Sequence, residues 1–155
     1  MPELPGNQPS PATGTYLCFD FGGRRIGIAV GHSDTRQANP LVTIRNVNGR
    51  PEWEKIDELV EQWRAVGLIV GLPLRDDGEQ QMQLTLSASF SKKLRKRYGL
   101  PVYRSDERYS SIEASRILAE NRRLGNRRRI EREDTDKIAA AVILDHWFSE
   151  TANIP

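Results

Sequence analysis

TYLCFDFGGRRIGIAVG, residues Thr15 to Gly31, decides the fold. Leu17, Phe19 and Phe21 alternate with Tyr16, Cys18 and Asp20, the period-2 pattern of a strand whose two faces differ. Asp20 therefore projects from a strand end. Gly22-Gly23 supplies a permissive turn, and Ile26, Ile28 and Val30 then alternate with Gly27, Ala29 and Gly31, as the return strand of a hairpin would. The small residues of that strand allow close approach by its neighbours.

Working outward, a polar loop leads to Leu41–Arg45, a third short β-prone stretch preceded by Pro40. From Pro51 the period changes. Trp53, Ile56, Leu59, Val60 and Trp63 make a helical stripe, with Pro51 positioned as a helix start and Gly67 as its end. Leu68-Ile69-Val70 then predicts a short buried strand running into a Gly71-Leu72-Pro73 loop. Met82, Leu86, Phe90 and Leu94 predict a second amphipathic helix ending near Gly99, and Pro101 to Ser105 a further strand. Ser110 and Glu113 have the form of a capping box, which predicts a helix to about Glu120. Ile138, Ala141, Val142 and Phe148 restore a helical stripe near the end, with Asp136 in its first turn. The order β-β-β-α-β-α-β-α-α predicts an α/β protein: a mixed five-stranded sheet with three antiparallel N-terminal strands, flanked by helices.

With 155 residues and 37% apolar composition, the chain suffices for one ordinary core. One domain over 15–150 is the expectation, preceded by a disordered Pro-rich tail over 1–14 that carries four prolines by residue 11. A formal charge of +2 arises from 23 basic and 21 acidic side chains, so attraction to nucleic acid must come from clustered charge. The single Cys18 excludes an internal disulfide, and no apolar run reaches the roughly 18 residues of a membrane span. The N-terminus has neither the basic start nor the apolar stretch of a signal peptide, which predicts a cytoplasmic location.

Three acids sit at element ends: Asp20 after the first strand, Glu107 after the strand Pro101–Ser105, and Asp136 at the last helix. Ligands in open sheets collect at the carboxyl ends of strands, so Asp20 and Glu107 can meet there if their strands are adjacent. Converging carboxylates are hard oxygen ligands suited to Mg²⁺ or Mn²⁺, and two such ions support phosphodiester cleavage. Taken singly, each acid has an ordinary role: Asp136 at a helix start, Glu107 beside Arg104 or Arg108, Asp20 on turn amides. Spacing alone also leaves Asp106 and Asp134 as substitutes for Glu107 and Asp136.

Four segments together resemble the YqgF/RuvX family, RNase H-like proteins described as Holliday junction resolvases and as nucleases of pre-16S ribosomal RNA. They are Asp20-Phe21-Gly22 continuing to Arg25-Ile26-Gly27-Ile28-Ala29-Val30-Gly31, then Ile69-Val70-Gly71-Leu72-Pro73-Leu74, then Asp106-Glu107-Arg108, and Asp136 leading into Ala139-Ala140-Ala141-Val142-Ile143-Leu144. The resemblance implies an RNase H-like fold and a nuclease in which Asp20, Glu107 and Asp136 are the catalytic metal ligands for Mg²⁺ or Mn²⁺, with two ions expected. It implies structured RNA, such as a ribosomal RNA precursor, or branched DNA as substrate. It also implies a flexible segment before the last helix, corresponding to 121–132.

That segment carries six arginines, including Arg122, Arg123, Arg127, Arg128 and Arg129. Guanidinium groups bind phosphates bidentately, so the loop is a candidate backbone contact, set against a solvated loop balanced by Glu120, Glu131, Glu133 and Asp134. Arg24 and Arg25 beside Asp20, Arg75 after Gly71-Leu72-Pro73, and Arg108 complete the nucleic-acid-binding candidates. Arg24 and Arg25 could instead offset the acids, and Gly71 could admit a nucleic acid backbone or serve a plain turn. His32 and His146 are too scattered for a zinc site, and Trp53, Trp63 and Trp147 fit the core better than a base-stacking platform. Two rivals remain. An actin-like phosphotransferase shares the acidic first strand and glycines but needs two domains. A non-catalytic nucleic-acid-binding or transcription-associated protein would have no need of all three acids. The oligomeric state is open between monomer and homodimer, although a resolvase must make paired cuts and is expected to act as a dimer.

Overall fold

The structure, a computed structural model, describes residues 11–71, 80–105 and 132–152. The opening hairpin forms as its alternation requires. Strand β1 (Thr15–Phe21) pairs antiparallel with β2 (Arg25–His32), and β2 with β3 (Gln37–Val47). Helix α1 (Trp53–Trp63) leads into β5 (Gly67–Gly71), helix α2 (Gln80–Tyr98) into β6 (Val102–Ser105), and helix α3 (Arg132–Ala152) closes the described chain. Strand β4 is the dipeptide Arg50–Pro51, paired with the end of β3. The six-stranded sheet runs β4-β3-β2-β1-β5-β6, with β5 and β6 parallel to β1. A mixed sheet with an antiparallel meander and parallel crossovers is thus the architecture.

Alternation sends two sets of residues to opposite faces. Leu17, Phe19, Phe21, Ile26, Ile28, Val30, Leu68 and Val70 join Ile56 of α1 and Phe90 and Leu94 of α2 in one core. Tyr16, Cys18, Ala29 and Ile69 meet Ala140, Ala141, Ile143, Leu144, Trp147 and Phe148 of α3 in another. The three tryptophans belong to these cores, as expected: Trp147 is buried, while Trp53 and Trp63 pack against the first cluster.

The structure corrects four details of the sequence-based expectation. Pro51 does not start α1. It lies in β4, and Glu52 occupies the N-cap without a side-chain cap, its carboxylate accepting instead from the Arg45 amide (2.7 Å) and pairing with Lys55 (3.1 Å). Strand β3 is far longer than 41–45 because cross-strand pairing with β2 extends to His32 and Gln37. Pro40 is tolerated there because the strand's outer side carries β4 only at Asn46 and Val47. The sixth strand rests on Asn48-Gly49, whose φ values of 52° and 74° match a two-residue hairpin turn with both centres left-handed. Finally, α3 begins at Arg132, so Asp136 lies in its second turn rather than its first. The capping-box helix and the segment 121–131 fall outside the described residues.

Candidate active site and nucleic-acid interface

A single rung across the sheet builds the site. Thr43, Gly27, Asp20, Gly71 and Ser105 are register partners in β3, β2, β1, β5 and β6. Directly paired residues share a face, and this rung lies on the face that α3 covers. Asp20 stands in it between two glycines, with only 8% of its surface exposed. Those glycines let the helix descend. A Cβ on Gly27 would overlap the carbonyl of Asp136 and lie 2.7 Å from the Lys137 nitrogen. One on Gly71 would come within 2.5 Å of Ile143 Cδ1. The close approach at Gly71 is therefore filled by a helix side chain, which corrects the expectation of a nucleic acid backbone there.

The contact at Gly27 sets the backbone of Asp136 onto the residue directly across from Asp20. The start of α3 is thereby packed at the carboxyl end of β1, beside the position of Asp20. One rung further along the same face, Arg25 donates from Nε to Asp136 Oδ2 at 2.5 Å, with the two side chains about one third and one quarter exposed (35% and 24%). Arg25 thus compensates the acidic cluster. Ser105, also buried, ends the rung on β6, and Glu107 follows it by two positions in the sequence. Glu107 itself, with Asp106, Arg75, Arg108, Arg122, Arg123, Arg127, Arg128 and Arg129, lies outside the described residues. Among the described residues, no group of three or more potential metal-ligating side chains occurs.

On its other side Arg25 faces Arg45, its register partner on β3. Arg24, Arg25, Arg45 and Lys55 line an open groove of about 1030 Å³ at the rim of the sheet, with Glu52 as its acid. Sequence reasoning found Arg24 and Arg25 but missed Arg45, Asn46 and Lys55. The signal was Asn48-Gly49, a strong two-residue hairpin turn, which would have extended β3 to Val47 and brought Arg45 opposite Arg25. His32 is a surface residue, as expected: its ring is 42% exposed and its Nδ1 accepts from the Asp34 amide at 3.1 Å.

Comparison with known proteins identifies the family and the fold. Residues 14–150 match the family model described as "RuvX: Holliday junction resolvase". The chain belongs to the RuvX family. Members named "Putative pre-16S rRNA nuclease" include one from Legionella pneumophila strain Paris, 43% identical over 89% of this chain and 97% of its own length. Another, from Azotobacter vinelandii, is 41% identical over 86% of this chain and 92% of its own length. Among solved structures, T. thermophilus RuvC in complex with a Holliday junction substrate matches with a TM-score of 0.53 at 17% identity, over 90% of this chain and 96% of that one. The yeast mitochondrial Holliday junction resolvase Ydc2 matches with a TM-score of 0.57 at 12% identity, over 93% and 81%. These likenesses establish an RNase H-like fold for a chain of a nuclease family.

Proposed function

We propose that this RuvX-family chain is a divalent-metal-dependent endonuclease, with Asp20, Glu107 and Asp136 as its ligands for Mg²⁺ or Mn²⁺. The observation that carries the proposal is the burial of Asp20 between Gly27 and Gly71, with the backbone of Asp136 packed onto Gly27. A buried carboxylate beside a second acid fits a hard divalent cation, because each acid is a costly charge that the cation offsets. When bound, two such ions supply an activated water and a counter-charge for the leaving 3′ oxygen. Asp20 is held rigidly by strand pairing and Asp136 by helix packing, while the Arg25 guanidinium compensates the Asp136 carboxylate. Arg24 and Arg25 lie next to the carboxylates, where their guanidiniums meet the phosphates of a bound strand.

The substrate is pre-16S ribosomal RNA, cut during 5′-end maturation; the names of relatives more than 40% identical over most of the chain support this choice. A four-way DNA junction is the second reading, favoured by a RuvC neighbour solved with that substrate. On RNA the protein works as a monomer, and on a junction as a homodimer, because paired cuts need two sites. We assign the activity to one domain over 15–150 following the Pro-rich tail, acting in the cytoplasm. No described helix is long and apolar enough to cross a membrane.

The test is a cleavage assay with Mn²⁺ or Mg²⁺, comparing ribosomal precursor RNA with a synthetic junction. Asp20→Asn is expected to abolish cutting while leaving the melting transition in place. Equal cutting by that variant would overturn the site assignment.

A further inference from the structure

We infer that the rim groove between the β1–β2 hairpin, the β3–β4 hairpin and α1 is a second nucleic-acid subsite, which grips the phosphodiester backbone of the strand leaving the carboxylates. The inference rests on the nuclease proposal above and extends the phosphate contacts of Arg24 and Arg25 to Arg45 and Lys55.

Arg25 and Arg45 are direct cross-strand partners. Like charges so placed destabilise a sheet, so the pairing favours an anion between or above them. Arg25 reaches Asp136 on one side, while the same residue lines the groove on the other, making the groove continuous with the carboxylate trough. Arg24 and Lys55 extend the basic lining past the sheet rim toward α1.

The acid in the groove is already engaged. Glu52 accepts from the Arg45 amide and pairs with Lys55, and these contacts, the amide first, hold its carboxyl below the usual glutamate range. The floor is polar. Asn46 is buried, donates from Nδ2 to the Gly22 carbonyl at 3.0 Å, and leaves its Oδ1 without a partner in the structure. Four basic side chains against one engaged acid suit a phosphate backbone better than an apolar protein partner, whose interface core would exclude such charge. Strand polarity adds the path: the end of β1, the start of β2 and the end of β3 share one edge of the sheet. A nucleic acid held at Asp20 therefore meets Arg25, then Arg24 and Arg45, then Lys55.

The experiment measures binding without cutting. A fluorescein-labelled duplex DNA, and the duplex RNA of the same sequence, are titrated by anisotropy in EDTA across a salt series. On duplex DNA each phosphate contact contributes about 0.9 to the slope of log K against log salt. The double variant Arg45→Gln/Lys55→Gln is expected to lose about 1.8 from that slope, two contacts' worth, and to weaken binding to both duplexes. Lys92→Gln/Lys96→Gln, which removes the same charge from exposed positions on α2, is expected to retain the parent slope. Thermal melts of both variants exclude unfolding as the cause. Equal slope loss in both doubles, a parent slope in the groove double, or no binding of either duplex by the parent would overturn the subsite. A parent that cuts while the slopes coincide removes the groove and leaves the nuclease proposal intact. A parent that binds with the expected slope contrast but cuts nothing does the reverse.

Discussion

The two faces of the sheet are packed to different ends. Beneath α1 and α2, large side chains fill the space: Phe90 sits 5.6 Å from the Phe19 ring, 5.0 Å from Phe21 in a stacked arrangement and 5.8 Å from Trp53. Beneath the start of α3, glycines empty it. Gly27 and Gly71 remove side chains on either side of Asp20, and Ala139, Ala140 and Ala141 keep the helix slim where it descends. One face therefore draws its stability from aromatic volume. The other gives up volume so that the helix backbone at Asp136 packs onto Gly27, the cross-strand partner of Asp20. Toward the far end of α3 the second face returns to bulk, with Tyr16, Tyr103, Trp147 and Phe148 in ring contacts of 4.9–6.1 Å. The helix is anchored at one end and placed at the other.

The contrast predicts a dissociation between stability and metal binding. Phe90→Ala should destabilise the fold most, by about 3–5 kcal/mol in urea denaturation, since it removes the ring shared by three aromatic neighbours. The protein that remains folded should bind Mn²⁺ with the parent affinity in calorimetry. Loss of Mn²⁺ binding with folding intact would mean that the two faces are not independent.

Gly27→Ala should do the opposite. Its added methyl meets backbone rather than a flexible side chain, so the start of α3 must shift, at about 1–3 kcal/mol for overpacking. A smaller loss of stability than Phe90→Ala should accompany at least a tenfold loss of Mn²⁺ affinity, because Asp136 moves with the helix. Parent affinity in Gly27→Ala would show that the close approach does not set the site.

Arg25 offers a finer probe of the same face. In the metal-free chain its guanidinium compensates Asp136, so a metal ion competes with it. Arg25→Gln should tighten Mn²⁺ binding by up to about fivefold, the equivalent of roughly 1 kcal/mol for a partly exposed ion pair, while weakening nucleic acid binding. Weaker Mn²⁺ binding would instead identify Arg25 as a support that orients Asp136 for the ion.

This difference between the faces also explains what was legible in the sequence. Period-2 alternation in residues 15–31 and helical stripes such as Trp53-Ile56-Leu59-Val60-Trp63 report burial directly, so the hairpin, α1, α2 and β5 stand close to where the pattern puts them. Asp20 was legible as a polar residue at the end of an apolar strand. The packing of Asp136 onto Gly27, the cross-strand partner of Asp20, was not, because that contact depends on a glycine whose absence of a side chain leaves no periodic trace. Pro51 misled because proline suits both a helix start and the edge of a sheet, and tertiary pairing with β3 chose the second. The preference for Glu107 came from family resemblance, and spacing alone left it level with Asp106.

The smallest effect expected lies on the α1/α2 face and tests whether its polar margin matters as little as its aromatic core matters much. Asp57 of α1 accepts from Arg97 Nη2 at 2.7 Å and from Arg97 Nε at 2.8 Å, and from the Tyr98 hydroxyl at 2.5 Å, tying α1 to the end of α2. Arg97 first, and Tyr98 second, hold the Asp57 carboxyl down at about 2. Its folded value is thus below the ordinary aspartate value of roughly 4. The unfolded chain takes up the proton first as pH falls, so the stabilisation is complete above about pH 4 and fades as pH drops toward 2. Both side chains are more than 40% exposed, at 41% and 45%, so solvent and salt reduce the pair to below about 1 kcal/mol. Melting temperatures of Asp57→Asn should therefore lie slightly below the parent at neutral pH and converge with it toward pH 2. The gap should also close in 1 M salt, where the screening length is only about 3 Å. A gap that persists at pH 2 would show that Asp57 holds α1 by hydrogen bonding alone, with its charge irrelevant to the contact.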